Sequence, residues 1–228
     1  MRQGEKFKNI CFFDMDGTLI AGNSGVSFMR YSYARGKTSL WRVGKSIVDY
    51  LRYRYDLLNM DKAYRQSLRP LIGVKEEELI KFCYEWFAER VEKLIYPEVK
   101  EIVRQHQENG EITVIISNAT TYAIQPLAEH LGISQVLGTL LQVKDGRFTG
   151  DFIAPLCFGR GKIFWAQKLM QKINSDFAHA TFYTDSITDL PLLEMVKNPQ
   201  IVNPDLKLRS LAKRRGWPLR YFRKPKIK

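Results

Sequence analysis

Residues 11–20 read CFFDMDGTLI. The stretch Asn9 to Phe13 has the unbroken apolar character of a strand buried on both faces, and it ends abruptly in Asp14, Asp16, Gly17 and Thr18. Two carboxylates at the end of a buried strand carry a desolvation cost that something must offset. Their partners lie at the ends of the other strands.

Three more short apolar runs follow, Ile112 to Ile116, Ala180 to Thr184 and Gln200 to Val202. Between and after them come helical patterns over Pro97 to Asn109, Thr121 to Leu131, Gly161 to Ile173, Leu190 to Val196 and Asp205 to Arg215. Pro97 suits a helix start and Asn109-Gly110 a helix stop. Strands alternating with helices of this length predict an α/β fold, a parallel sheet covered on both faces. Val136 to Val143 and Arg147 to Phe152 break the alternation; they flank KDGR, where Asp-Gly supports a hairpin turn. Residues 22–92 show almost no strand signal but helical stretches at Val26 to Ala34, Leu40 to Leu58 and Glu76 to Lys93. The expected organisation is an α/β core of residues 1–21 and 93–228 with a helical insert, 22–92, after the first strand.

The 228 residues are 45% hydrophobic, enough for a substantial core. The N-terminal MRQGEKFKN is polar and lacks the apolar core of a signal peptide. Cys11, Cys83 and Cys157 are odd in number and widely spaced, which reads as reduced thiols in a cytoplasmic protein. The net charge of +12 points to anionic company: phosphorylated substrates, nucleic acid or an anionic membrane surface.

In open α/β sheets, ligands bind beyond the carboxyl ends of the strands. There the first strand delivers Asp14, Asp16 and Thr18; the second, in VIISNAT, Ser117 and Asn118; the third, in FYTDSITDLPLLE, Asp185, Ser186 and Asp189. Lys162 opens a helix in FGRGKIF. Asp14 and Asp185, with a backbone carbonyl, offer hard oxygen ligands for Mg²⁺. Lys162, Ser117, Thr18 and the loop amides are donors for a phosphate. A cation and a phosphoryl group together offset the cost of the acids. GRGK itself is no P-loop, because Leu156 stands where the first glycine belongs and Ile163 follows the lysine.

DMDGT at Asp14 to Thr18, SNAT from Ser117, Lys162 after GRG, and DSITD from Asp185 resemble the four motifs of the haloacid dehalogenase superfamily. The helical insert resembles the first-position (C1) cap of its phosphoserine phosphatase-like branch, subfamily IB, and VNPDLKLRSLAKRRGWP resembles the ending of a particular subfamily of that branch. The resemblance implies a three-layer Rossmann-like core and a phosphatase acting on a small phosphomonoester. It implies that Asp14 is the nucleophile and forms an aspartyl-phosphate. Asp16 is then the general acid and base, with its backbone carbonyl on Mg²⁺. Ser117, Asn118, Thr18 and Lys162 hold phosphate, Asp185 ligates Mg²⁺, and Asp189, Gly17 and Thr188 support the site. Two positions depart from phosphoserine phosphatases: Asn23 stands where they carry a glutamate that reads the substrate amine, and Thr188 where they carry an asparagine. Arg65 and Arg69 are candidates for reading a substrate carboxylate. The substrate expectation is a phosphorylated metabolite such as histidinol phosphate, with phosphoserine disfavoured.

Two rivals share these residues. One is a phosphotransferase or mutase with the same nucleophile. The other is a non-enzymatic protein that binds phosphate or an anionic surface, against which a complete acid set speaks, since a binding module has no use for Asp16. Residues 29–56 interleave Arg and Lys with Tyr and Trp, which reads first as a helical bundle with an aromatic core and a basic exterior. The acid-free basic tail after Arg209 reads first as a solvated charge run. Nucleic acid is not an expected partner; weak contact with an anionic membrane surface stays open, and the sequence does not set the oligomeric state.

Overall fold

The computed structural model describes residues 7–37 and 60–225. The helix expected over Leu40 to Leu58, and most of the basic aromatic stretch, lie outside the described residues.

Among the described residues seven strands form one sheet: β1 (Ile10–Phe13), β2 (Ile112–Thr120), β3 (Gln135–Lys144), β4 (Arg147–Ile153), β5 (Ala180–Thr184), β6 (Asn198–Val202) and β7 (Leu219–Arg220). Their order is β4-β3-β2-β1-β5-β6-β7. Every pairing is parallel except β3 with β4, the expected hairpin. Successive residues of a strand face opposite sides of the sheet, so β1 serves two cores. Ile10 and Phe12 pack with Trp165, Ala166, Leu169 and Met170 of α6 (Arg160–Ile173) and with Leu208 and Ala212 of α8 (Leu206–Arg215). Cys11 and Phe13 pack with Val99 and Val103 of α4 (Val99–Glu108) and with Ile124, Leu127 and Ala128 of α5 (Thr121–His130). The three layers are those the alternation predicts.

Within the described residues the expected strands and helices are found with ends moved by a few residues, and the helix at Leu190 is cut to α7 (Leu190–Leu193). β2 runs four residues beyond the apolar run, with an irregular register between Ile116 and Thr120 that carries Ser117 and Asn118. β7 was not expected: two residues at a sheet edge leave no readable pattern.

The insert contributes α1 (Ser24–Ala34), α2 (Met60–Leu68) and α3 (Glu76–Trp86); a π-helical turn (Phe87–Val91) and a 3₁₀ turn (Glu92–Leu94) extend α3. Phe28, Tyr31, Phe82 and Trp86 pack ring to ring at 5.1–5.5 Å between centroids, a small aromatic core. The hairpin belongs to this region. Leu141, Phe148 and Phe152 share a core with Leu68, Leu79 and Cys83 of the insert. The Gly73 N–H donates to the Phe148 carbonyl at 2.9 Å, and the Phe148 N–H to the Val74 carbonyl at 3.0 Å. The insert thereby covers an edge strand that would otherwise offer unpaired backbone groups. Among the described residues no helix is long and apolar enough to cross a membrane.

Candidate active site

Phe13 pairs with Ile115 on one side and Tyr183 on the other. This register brings Asp14, Ser117 and Asp185 out at one edge of the sheet. The chain leaves β1 for β2 and later returns beside it as β5, so the edge lies at a topological switch point.

Asp14 is buried, and its N–H donates to the Tyr183 carbonyl at 2.9 Å. Its Oδ1 accepts from Lys162 Nζ at 2.7 Å. Lys162, 2% exposed, also donates to Asp189 Oδ2 at 2.8 Å, and that oxygen accepts from the Thr184 hydroxyl at 2.7 Å. The reach of Lys162 depends on how α6 begins. A Cβ on Gly161 would fall 1.8 Å from the Leu156 carbonyl oxygen, so only glycine lets the helix start this close to the preceding loop. The resemblance implies that Asp189 supports a cation; its carboxylate here sits on Lys162.

Asp16 is held by the insert. Its carboxylate accepts from the Ser24 N–H at 2.8 Å and from the Ser24 hydroxyl at 2.9 Å, at the start of α1. Asn23 is the N-cap of that helix, its side-chain oxygen accepting from the Val26 N–H at 2.9 Å. Gly17 has φ +72°, and a Cβ there would lie 2.1 Å from Asp185 Oδ2. The turn therefore needs glycine twice, for its left-handed backbone and to let Asp185 approach. Among the described residues the Asp185 carboxylate has no hydrogen-bond or ion-pair partner.

Burial dominates the protonation of these groups. It pushes Asp14 up to about 7 against the opposing pull of Lys162. It pushes Asp16 up to about 6, the two Ser24 hydrogen bonds opposing. Burial, then the neighbouring Asp14 and Asp189, drive Asp185 well above the usual carboxylate range. For Lys162, burial disfavours the charge, but Asp14 and Asp189 outweigh it and raise the ammonium pKa. Four acids facing one ammonium leave surplus negative charge, and among the described residues Asp185 lacks a partner. A small, hard divalent cation suits that donor set.

A pH experiment follows from these shifts. An acid raised by folding contributes stability below its unfolded pKa of about 4 and loses it as pH climbs through the raised value. Metal-free wild type should therefore lose stability from about pH 4 towards about pH 7, the value to which Asp14 is pushed. In chelator, Asp185→Asn should melt with wild type at the acid end and several degrees above it at the neutral end. Adding Mg²⁺ should reverse that order. Calorimetry that finds the variant less stable than wild type in chelator at neutral pH would refute the charge surplus.

Of the phosphate candidates, Thr18 Oγ1 and Asn118 Oδ1 are buried without a hydrogen-bond partner among the described residues, and Ser117 Oγ accepts from the Ala119 N–H at 3.3 Å. Thr188 is engaged locally, its hydroxyl 2.9 Å from that of Ser186. Arg65 instead ties α2 to the hairpin. It donates to Asp151 at 2.8 Å and lies 4.7 Å from the Phe152 ring centroid. Arg69 is exposed and has no ion pair among the described residues.

Five residues escaped the sequence reading. Ser24 holds Asp16. Tyr64 of α2 donates to the Asn118 carbonyl at 3.3 Å, and Thr139 donates to the same oxygen at 3.0 Å. Asn203 Nδ2 donates to the Gly17 carbonyl at 3.1 Å. Asp205 caps α8, accepting from the Lys207 and Leu208 amides, and braces the Asp185 loop by accepting from the Ile187 N–H at 2.8 Å. The Asn-Pro dipeptide after β6 was a usable turn signal for the last two; Ser24 and Tyr64 carry no local one.

Residues 11–194 match the family described as haloacid dehalogenase-like hydrolase. The chain is 33% identical over 222 residues to the histidinol-phosphatase of Neisseria meningitidis, covering 95% of this chain and all of that relative. It is 32% identical to the phosphoserine phosphatase SerB1 of Mycobacterium tuberculosis, covering 93% of this chain and 70% of the relative. Among solved structures, a Bordetella pertussis protein of unknown function superimposes with a TM-score of 0.86 at 24% identity, over 94% of this chain and 98% of that one. A phosphoserine phosphatase solved as a phospho-aspartyl intermediate analogue gives 0.68 at 16% identity, over 96% and 95%. The chain belongs to the haloacid dehalogenase-like hydrolases, in their phosphoserine phosphatase-like branch of phosphatases.

Proposed function

We propose that this chain is a Mg²⁺-dependent phosphomonoester phosphatase that works through an aspartyl-phosphate on Asp14, with residues 22–92 as a cap domain over a core of 1–21 and 93–228. The observation that carries this reading is the Asp14–Lys162–Asp189 cluster facing Asp185 at the switch point, with Asp16 held in reserve by Ser24.

Lys162 holds one oxygen of Asp14 and leaves the other to attack phosphorus in line with the leaving oxygen. As the bond to that oxygen breaks, the proton on Asp16 passes to it. Burial keeps that proton near neutral pH, which makes Asp16 a competent acid. Asp16, now a carboxylate, takes a proton from water. The resulting hydroxide attacks the phosphorus, phosphate leaves, and Asp14 is regenerated. Lys162, Ser117, Thr18 and the Asn118 side chain bind the phosphoryl oxygens. Asp14, Asp185 and the Asp16 backbone carbonyl would hold Mg²⁺, which neutralises the carboxylates and polarises the phosphoryl group.

The substrate class is a small amine-bearing phosphomonoester of the histidinol phosphate kind. The full-length match to a histidinol-phosphatase supports it. The comparable match to a phosphoserine phosphatase supports phosphoserine as the second reading. Three buried unpaired cysteines suit a reducing, cytoplasmic setting.

The test is a panel of phosphomonoesters scored by phosphate release. Histidinol phosphate should exceed phosphoserine in kcat/KM by at least tenfold. Activity should vanish in chelator, return with Mg²⁺ and be inhibited by Ca²⁺, whose larger coordination shell disturbs the in-line geometry. Phosphoserine ranking first would move the protein to the second reading; full activity after exhaustive chelation would remove the metal from the account.

A further inference from the structure

The acids of the site repel one another, and a fold that gathers them must hold their loops together. Asp14 and Asp16 lie on the turn after β1, Asp185 and Asp189 on the loop after β5. Both are gripped by one short loop, Asn203 to Asp205, between β6 and α8. From it the Asp205 N–H donates to the Asp185 carbonyl at 2.9 Å, and the Asp205 carboxylate accepts from the Ile187 N–H. Asn203 grips the other turn through the Gly17 carbonyl at 3.1 Å.

Asn203 is anchored at its far end. Its side-chain oxygen accepts from the Phe222 N–H at 2.8 Å, and its own N–H donates to the Arg220 carbonyl at 2.9 Å. The Phe222 ring packs against Tyr96. One planar amide thus spans from the C-terminal segment to the turn beside Asp16, using both its donor and its acceptor. Its backbone is left-handed, φ +45°, a conformation asparagine tolerates better than most residues. Aspartate would keep the acceptor but lose the donor to Gly17; glycine would keep the backbone and lose both.

Gly17 is also where the two acidic loops meet, since Asp185 fills the space a side chain would need there. We propose that Asn203 is a positioning residue: by clamping the Gly17 carbonyl to the C-terminal segment, it sets the spacing between the Asp14–Asp16 turn and Asp185, and with it the cation geometry. The consequence for cation binding rests on the phosphatase reading above; the clamp itself does not.

The experiment compares wild type with Asn203→Gly and Asn203→Asp by amide hydrogen exchange in chelator. Within the turn, the Gly17 N–H is bonded to Ile20, and the Leu19 and Ile20 N–H groups to Met15. These three amides should exchange about tenfold faster in both variants, the effect of losing one hydrogen bond. The Phe222 amide should lose protection in Asn203→Gly and keep it in Asn203→Asp. Calorimetric titration with Mg²⁺ should give about tenfold weaker binding for Asn203→Gly. On the preferred substrate, its kcat should fall about tenfold with KM within twofold, because the phosphate donors are untouched. Turn amides within twofold of wild type in both variants would overturn the clamp. Faster exchange with unchanged Mg²⁺ affinity would reduce Asn203 to a structural role and overturn the positioning. Where the glycine variant does not fold, the isosteric aspartate variant carries the exchange comparison. A wild type that binds Mg²⁺ but hydrolyses nothing would refute the phosphatase reading, while exchange and titration still judge the clamp.

Discussion

Asp14→Asn should lower phosphate release by at least about four orders of magnitude while leaving the fold intact. The amide keeps the shape of the carboxylate but cannot attack phosphorus. The variant can still offer its oxygen to Lys162, which keeps Asp189 as its charged partner. Removing an acid whose pKa is pushed up to about 7 should make metal-free protein no less stable near neutral pH. Activity and stability thus part company: a melting temperature equal to or above that of wild type in chelator, with no turnover on any substrate. Residual turnover near the wild-type rate would exclude a covalent mechanism on Asp14.

Lys162→Met should do the opposite to stability. Lys162 is the cation paired to Asp14 and Asp189 in a nearly solvent-free setting. Removing one member of a buried pair costs about 3–5 kcal/mol, because the remaining charge is left buried without a counter-ion. For a chain of this size that is a drop of roughly 10 °C in melting temperature. Adding Asp189→Asn to Lys162→Met should recover part of the loss, since the second substitution removes the orphaned charge. Turnover should stay abolished in both. A single variant that melts with wild type would mean that Lys162 is not the counter-ion the geometry makes it.

Much of this was legible in the sequence, for physical reasons that differ by element. β1, β2 and β5 are buried on both faces, so their apolar runs stand out, and the acids that end them mark the site edge. The Asp-Gly pair announced the hairpin, but nothing local showed that Gly73 to Glu76 of the insert would cover its outer edge, because that contact joins distant segments. By the family resemblance Asn23 stands at a substrate-reading position, and in the structure it caps α1; the two roles leave the same residue type in the sequence. Arg65 is, with Arg69, a candidate for reading a substrate carboxylate only through the family resemblance, and in the structure it pairs with Asp151. Asn203 and Asp205 lie in a stretch whose sequence shows a helix start and a subfamily resemblance but no site role. Their part in the site depends on β6 lying beside β5 and on the C-terminal segment returning as β7, a pairing too short to leave a pattern.

Covalent phosphorylation of Asp14 can be trapped directly. Enzyme turning over a good phosphomonoester substrate in Mg²⁺ is quenched in acid, reduced with borohydride and mapped by peptide mass. The peptide spanning residues 11–20 should carry homoserine at position 14, the reduction product of an aspartyl-phosphate, and the homoserine should be absent without substrate. Phosphate found on another residue, or an unmodified Asp14 in enzyme shown to be turning over, would contradict phosphorylation of Asp14.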